Sequence, residues 1–393
     1  MKDRVSYESQ VLYVGPAQTG DLGGDVISGL TPAQLHHITN IEHTLETNIE
    51  TPYNFGSLNP LGNIIPGLVD LNLEFEYNLA DAQNEKWLGF DLSDLATSAI
   101  SGMMSGIRDE QNFYIVTAQK GDAVTQKDTS QFLEQEGLNV VGFGNAVIEN
   151  YYMEASLDEV PLGRVSAIVS NLTFSSGASG IESPGITSSG CRDETKITIP
   201  APRPDSLQVE ALRPSHLNLT FGSGSLPQGG YLFPTGEDRP DNLSTCSLNK
   251  FSLNLQLPRR INQRLGSKHP LSKPIRYPAQ VILECSALAK DIVSGNLLDI
   301  FCASPQDATI SMQNPYTQEG NIQVRLKDLH LESQVPQHNL LEKEFIELSF
   351  RAPLSSPTGD GPGFYLSGVA DTPQETTYGI TSGQLLNNQL ITR

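Results

Sequence analysis

The sequence predicts a mainly β protein made of two tandem copies of one domain, a β-sandwich or partial barrel with a flanking helix. Three observations carry that prediction. The stretch from Ile38 to Phe90, shifted 210 places, lies on Leu248 to Ile300 without a gap. Leu45 meets Leu255, Gly56-Ser57 meets Gly266-Ser267, Pro60-Leu61 meets Pro270-Leu271, Ile65 meets Ile275 and Leu73-Glu74 meets Leu283-Glu284. Recurrence at a fixed spacing is the mark of a repeated structural unit. Within both copies the apolar residues alternate with polar ones, the period of a strand with one face in a core. The 34 Gly and 25 Pro among 393 residues favour turns and short strands over long helices.

Taken in order, residues 5–14 form an entering strand that stops at Gly15-Pro16, and Thr31-Pro32-Ala33-Gln34 opens a short helical turn. Residues 41–49 and 68–79 make a hairpin, as do 248–257 and 279–289. Each hairpin carries a loop of roughly twenty residues around Gly-Ser-x-x-Pro, longer than the usual connection and of the kind that often has a function. Leu92, Leu95, Ala96, Ile100, Met103 and Met104 keep a three-four rhythm and predict the best helix of the chain. Strands follow at 113–118, 140–144, 146–153 and 162–174, and in the second copy at 217–221, 308–312, 320–331 and 345–350. The domains divide as 1–190, a Pro- and Ser-rich linker at 191–207, a second domain at 208–353, and a Gly-, Ser- and Asn-rich arm at 354–393.

Charge is divided unevenly between the copies. Residues 1–200 hold 27 acids against 9 bases and the remainder 18 against 16, so nearly all of the net −20 lies in the first half. A surface this acidic does not hold DNA through its phosphates, which needs clustered Lys and Arg. The loop of the second copy is the exception, with Arg259, Arg260, Arg264, Lys268, Lys273 and Arg276, where the first copy has Glu50 and no base. Opposite character in equivalent loops suggests contacts between copies in neighbouring subunits or layers.

Chemistry leaves little trace. The adjacent His36 and His37 point to opposite sides of a strand, and His330 and His338 have no ligand at metal-binding spacing. Gly142-Phe143-Gly144 lacks the third glycine or the lysine of a phosphate loop and is read as a turn. The four cysteines show no paired spacing and are read as idle thiols. Catalysis, a cofactor and a metal are therefore not expected. Nor does any segment read as a membrane span or a secretion signal.

Several phrases resemble the tail-tube proteins of long-tailed bacteriophages. They are Val11-Leu12-Tyr13-Val14-Gly15-Pro16, Phe55-Gly56, the strand from Leu71 to Leu79, Asn84-Glu85 with Leu88-Gly89-Phe90, the run from Leu265 to Pro270, and Tyr277-Pro278-Ala279. The resemblance implies a structural virion protein whose domains stand six to a ring, with inner sheets closing into a barrel and rings stacking into a tube for genome passage. A duplicated chain would build the ring from three copies with pseudo-sixfold symmetry. Its partners would be itself and the tape-measure, tail-completion and, in a contractile tail, sheath proteins, with DNA passing through unbound. The location would be the virion, and the host cytoplasm before assembly. On this view the loops, with Gly56, Ser57, Pro60 and the six bases, reach the next ring, while Glu42, Glu46, Glu50, Glu74 and Glu76 face the lumen and repel DNA. The alternative is an adhesin of two β-sandwiches, or another tail or capsid accessory protein.

Overall fold

The computed structural model describes residues 10–17, 31–47, 50, 69–92, 95, 97–106, 108–118, 124, 138–157, 159–187, 190–202, 210–221, 248–288, 305–313, 321–337, 345–354 and 363–368. The first half contributes β1 (Gln10–Pro16), β2 (Ala33–Gln34), β3 (Ile38–Glu46), β4 (Asp70–Asn78), α1 (Gln83–Trp87), α2 (Ser101–Met104), β5 (Gln111–Thr117), β6 (Asn139–Ser156), β7 (Leu162–Val169) and β8 (Asn171–Ser176). The small strands β9 (Ile181–Glu182) and β10 (Lys196–Ile197) pair with each other. The second half contributes β11 (Leu217–Phe221), β12 (Leu248–Gln256), β13 (Gln280–Leu288), β14 (Gln306–Gln313), β15 (Asn321–Gln337), β16 (Phe345–Pro353) and β17 (Gly363–Gly368). Fifteen of these strands belong to one antiparallel sheet, which does not close into a barrel among the described residues.

The pairings of the first half recur in the second. The order β3-β4-β7-β6 is matched by β12-β13-β16-β15, and β6 carries β5, β1 and β8 as β15 carries β14, β11 and β17. Irregularities recur with the ladders. The register slips between Ile38 and Asn40 and between Leu248 and Lys250, between Ile148 and Asn150 and between Leu331 and Ser333, between Gln111 and Phe113 and between Gln306 and Ala308. Such slips bend a strand and tighten its twist.

The two longest strands owe their shape to one residue each. Asn145 in β6 has φ 48° and Asp328 in β15 has φ 60°, a left-handed conformation that Asn and Asp tolerate better than most residues. The N–H of Asn145 donates to Asn112 Oδ1 at 3.0 Å and that of Asp328 to Asp307 Oδ1 at 3.4 Å, from neighbouring β5 and β14. Each long strand thus turns from one layer into another. Residues 139–144 of β6 run beside β8 and residues 147–156 beside β7 and β12. The sequence had suggested two strands there, and the chain makes one.

Packed between the layers is a core that runs through both halves, including Phe75, Phe113, Tyr151, Phe251, Leu283, Phe350 and Phe364. Phe75 of β4 meets Phe113 of β5 at 5.7 Å, layer against layer. A smaller core behind β1 and β5 holds Tyr13, Tyr114, Val116, Ile181, Ile197 and Ile199. Residues of the expected linker are therefore packed on the first half, and Tyr13 donates its hydroxyl to the Pro200 carbonyl at 3.0 Å. Likewise β17, inside the expected arm, is buried over residues 363–366 and belongs to the sheet.

Two helical expectations are corrected. Ala33 and Gln34 join the sheet and do not open a helical turn, because β2 pairs with β1 and Leu35 N–H donates to Leu12 O at 2.9 Å. Among the described residues, the helix expected over 91–104 is present only as α2. Asp91 N–H donates to Ala99 O at 2.8 Å and Ala99 N–H to Phe364 O at 2.9 Å, bonds that a helix over those residues could not make. Tertiary partners have replaced the local ladder. Gly142 and Gly144 lie inside β6 and not in a turn.

Candidate assembly surface

Eight strands in the order β3-β4-β7-β6-β12-β13-β16-β15 form a continuous tract, four from each half. Their alternation sorts side chains to two faces. Along one row Ile41, Phe75, Val165, Tyr151, Leu255, Val281 and Ala352 stand side by side and pack on the core. The adjacent row on the opposite face reads Glu42, Glu74, Ser166, Asn150, Gln256 and Gln280. Beside it run Asn40, Glu76, Arg164, Tyr152, Asn254, Ile282 and Arg351. One broad polar face thus crosses the boundary between the halves without a break.

The acids expected from the sequence gather at one end of that face. Glu42 stands opposite Glu74, and Glu46 opposite Asp70. Like charges directly opposed on neighbouring strands are destabilising. Glu76 is compensated by Arg164, whose Nε donates to Glu76 Oε1 at 2.6 Å, and Ser166 Oγ lies 3.3 Å from Glu74 Oε1. Glu50 lies beyond β3 and is exposed. Farther along, Lys250 of β12 is paired with Glu154 of β6 across the boundary. Its hydrogen bond to Glu154 holds the Lys250 ammonium above its usual pKa.

The six loop bases part company. Residues 257–279 run out from β12 and return to β13 as an irregular hairpin with bridges at Arg259–Ile275 and Asn262–Ser272. The Arg259 side chain is buried, with Nη1 donating to Asp109 Oδ1 at 2.7 Å and Nε to Ile148 O at 2.8 Å. Burial holds the Asp109 carboxyl above its usual pKa, against the pull of Arg259. Lys273 Nζ is buried too, donating to Asn145 O and Ser170 Oγ, both at 2.5 Å. Its burial lowers the pKa to about 8. Both side chains bind the first half of their own chain. Arg260, Arg264, Lys268 and Arg276 are exposed, and Leu265 stands fully in solvent at the tip. Gly56, Ser57 and Pro60 lie outside the described residues.

One buried group has no signal in the sequence pattern. Glu85 of α1 is completely buried, and its Oε1 accepts from Tyr77 at 2.6 Å and from Tyr151 at 2.9 Å. Burial raises its pKa to about 7 although both hydroxyls favour the carboxylate. Only the pairing of β4 and β7 with the bent β6 brings these three residues together. Among the described residues no group of three His, Cys, Asp or Glu could hold a metal ion, and no helix is long and apolar enough to cross a membrane. Cys191 is a free exposed thiol and Cys285 a free buried one.

No protein-family model matches the chain, and no curated protein does. Among solved structures it is similar to a chain in the cryo-EM structure of the anti-feeding prophage baseplate, sixfold symmetrised. That match has a TM-score of 0.26 and 10% identity, over 44% of this chain and 97% of the other.

Proposed function

We propose that the chain is a structural subunit of a phage tail-type tube. In this reading each chain supplies two domain copies to a ring of three chains, rings stack, and the polar face of the eight-stranded tract lines the channel through which the genome passes. The observation that carries it is that tract, four strands from each half in the same order, with one face packed on the core and the other mostly polar, Ile282 and Tyr152 apart. An isolated sandwich gains nothing from opposing Glu42 to Glu74 and Glu46 to Asp70. A conduit for polyanionic DNA does, because an acidic wall offers phosphates no partner. The recurring register slips and the paired Asn145 and Asp328 bends support two copies of one unit, and the polar seam supports their acting as one wall.

The test is electron microscopy of the purified chain at rising concentration, with sedimentation of the same sample. Annular particles or tubes with three chains per layer are expected. Assemblies of another stoichiometry would replace the threefold ring, and a chain that remains single at every concentration would remove the reading.

A further inference from the structure

Asn145, which sets the bend of β6, is also a residue on which the second half rests. Its side chain is held at both ends. Oδ1 accepts from Ile186 N–H at 2.5 Å, while Nδ2 donates to Glu110 Oε2 at 2.7 Å and to Ile186 O at 3.2 Å. A main-chain N–H can only donate, so this contact fixes which end of the carboxamide is oxygen. The carbonyl oxygen therefore faces a donor and the amide nitrogen faces a carboxylate.

An amine reaches the same residue from the other half of the chain. Lys273 Nζ donates to the main-chain oxygen of Asn145 at 2.5 Å and to Ile168 O at 3.2 Å, and it lies 2.5 Å from Ser170 Oγ. Asn145 is 5% exposed and Lys273 3%, so bulk water is kept from both. These partners suit a neutral amine, which gives two N–H groups to the carbonyls and takes the hydroxyl proton of Ser170 on its lone pair. Burial, with the Arg259 guanidinium adding to it, brings the Lys273 pKa down to about 8 against the pull of Glu110 and Asp109. At pH 7 about one Lys273 in ten is then a free amine, against about one in three thousand for an ordinary lysine.

A nucleophile, a carboxamide, a polarising donor and a proton carrier thus meet in one buried place. We infer that Lys273 Nζ joins Asn145 Cγ in an intramolecular isopeptide bond that ties the second half of the chain to the first, with Glu110 carrying the proton. The amine has only to pass from the main-chain carbonyl to the side-chain carbonyl of one residue. As it adds to Cγ, charge builds on Oδ1 opposite the Ile186 N–H, a preplaced donor of the kind that stabilises an oxyanion. Glu110 takes a proton from Nζ and passes it to Nδ2, the Cγ–Nδ2 bond breaks, and the nitrogen leaves as ammonia. One amine and one carboxamide give one secondary amide and one ammonia, so the balance closes without a co-reactant.

The bond forms once per chain. The 210-place repeat puts Asn63 where Lys273 stands, and Asp328 occupies the bend that answers Asn145, so the counterpart positions hold no amine. The tie spans 128 positions of sequence, and closing so long a loop restricts the unfolded chain. It belongs to the single chain and holds whether or not chains assemble.

The test is the intact mass of the full chain, folded and held at about pH 8, followed by peptide mapping with tandem mass spectrometry. A mass about 17 Da below that of the sequence is expected, one ammonia lost, with a branched peptide joining residue 145 to residue 273. Lys273→Arg is expected to keep its full mass. Glu110→Gln can still accept from Nδ2 but cannot carry the proton, and is expected to close the bond about a hundredfold more slowly. A native chain that keeps its full mass would overturn the inference. So would a loss of ammonia with Asn145 in a linear peptide, which is ring closure onto its own backbone, or a loss that persists in Lys273→Arg. Closure at the native rate in Glu110→Gln would overturn the role given to Glu110.

Discussion

Arg259 of the second half is bound to Asp109 of the first, with Nη1 2.7 Å from Oδ1 and 2.9 Å from Oδ2. The arginine side chain is fully buried and the aspartate nearly so. A buried pair adds little over a well-packed apolar pair, but removing one partner strands the other charge. Arg259→Met is therefore expected to lower unfolding stability by about 3 kcal/mol, while Arg259→Met with Asp109→Leu recovers much of the loss. Denaturant unfolding of the three chains checks it. Equal losses in the single and double variants would show that the loop, and not the charge pair, supplies the stability.

Glu85 makes stability depend on pH. Its folded pKa of about 7 lies above the ordinary glutamate value of 4.5, so between those values the folded chain holds a proton that the unfolded chain has released. The full contribution of protonated Glu85 is present below about pH 4.5, falls as pH rises, and is gone above about 7. A shift of this size corresponds to about 3 kcal/mol. Glu85→Gln is expected to flatten the decline in unfolding stability between pH 5 and 7.5. An unchanged slope would place that dependence on other groups.

Gly144 leaves no room for a methyl group. A Cβ there would overlap the Pro184 carbonyl, and one at Gly142 would meet Thr173 Oγ1 at 2.6 Å. These glycines let the segment at 183–186 lie against β6, where Ile186 N–H donates to Asn145 Oδ1 at 2.5 Å. Gly144→Ala is expected to cost about 2 kcal/mol or more and to loosen that segment. Protease cleavage near residue 186 is the readout, and unchanged protection would contradict the close approach.

Strands were legible wherever one face met the core and the other met water. Alternation in 41–49 and 279–289 foretold β3 and β13. Helices were not, because Leu92, Ile100 and Met103 keep a helical rhythm while Ala99 gives its N–H to Phe364, a bond set by tertiary structure. The surface was half legible. Glu42, Glu74 and Glu76 fall on one face as their spacing required, but spacing cannot reveal that Arg259 and Lys273 turn inward. Their loop returns onto the first half only because β12 is already paired with β6.

The central claim is that the polar face of the eight-stranded tract lines a channel. A cryo-EM reconstruction of the assembled chain tests it most directly. Glu42, Glu74, Glu76 and Arg164 are expected on the inner wall, with Phe75 and Leu283 in the layer behind. A lumen lined instead by Arg260, Arg264 and Lys268, with the acids on the outside, would contradict it.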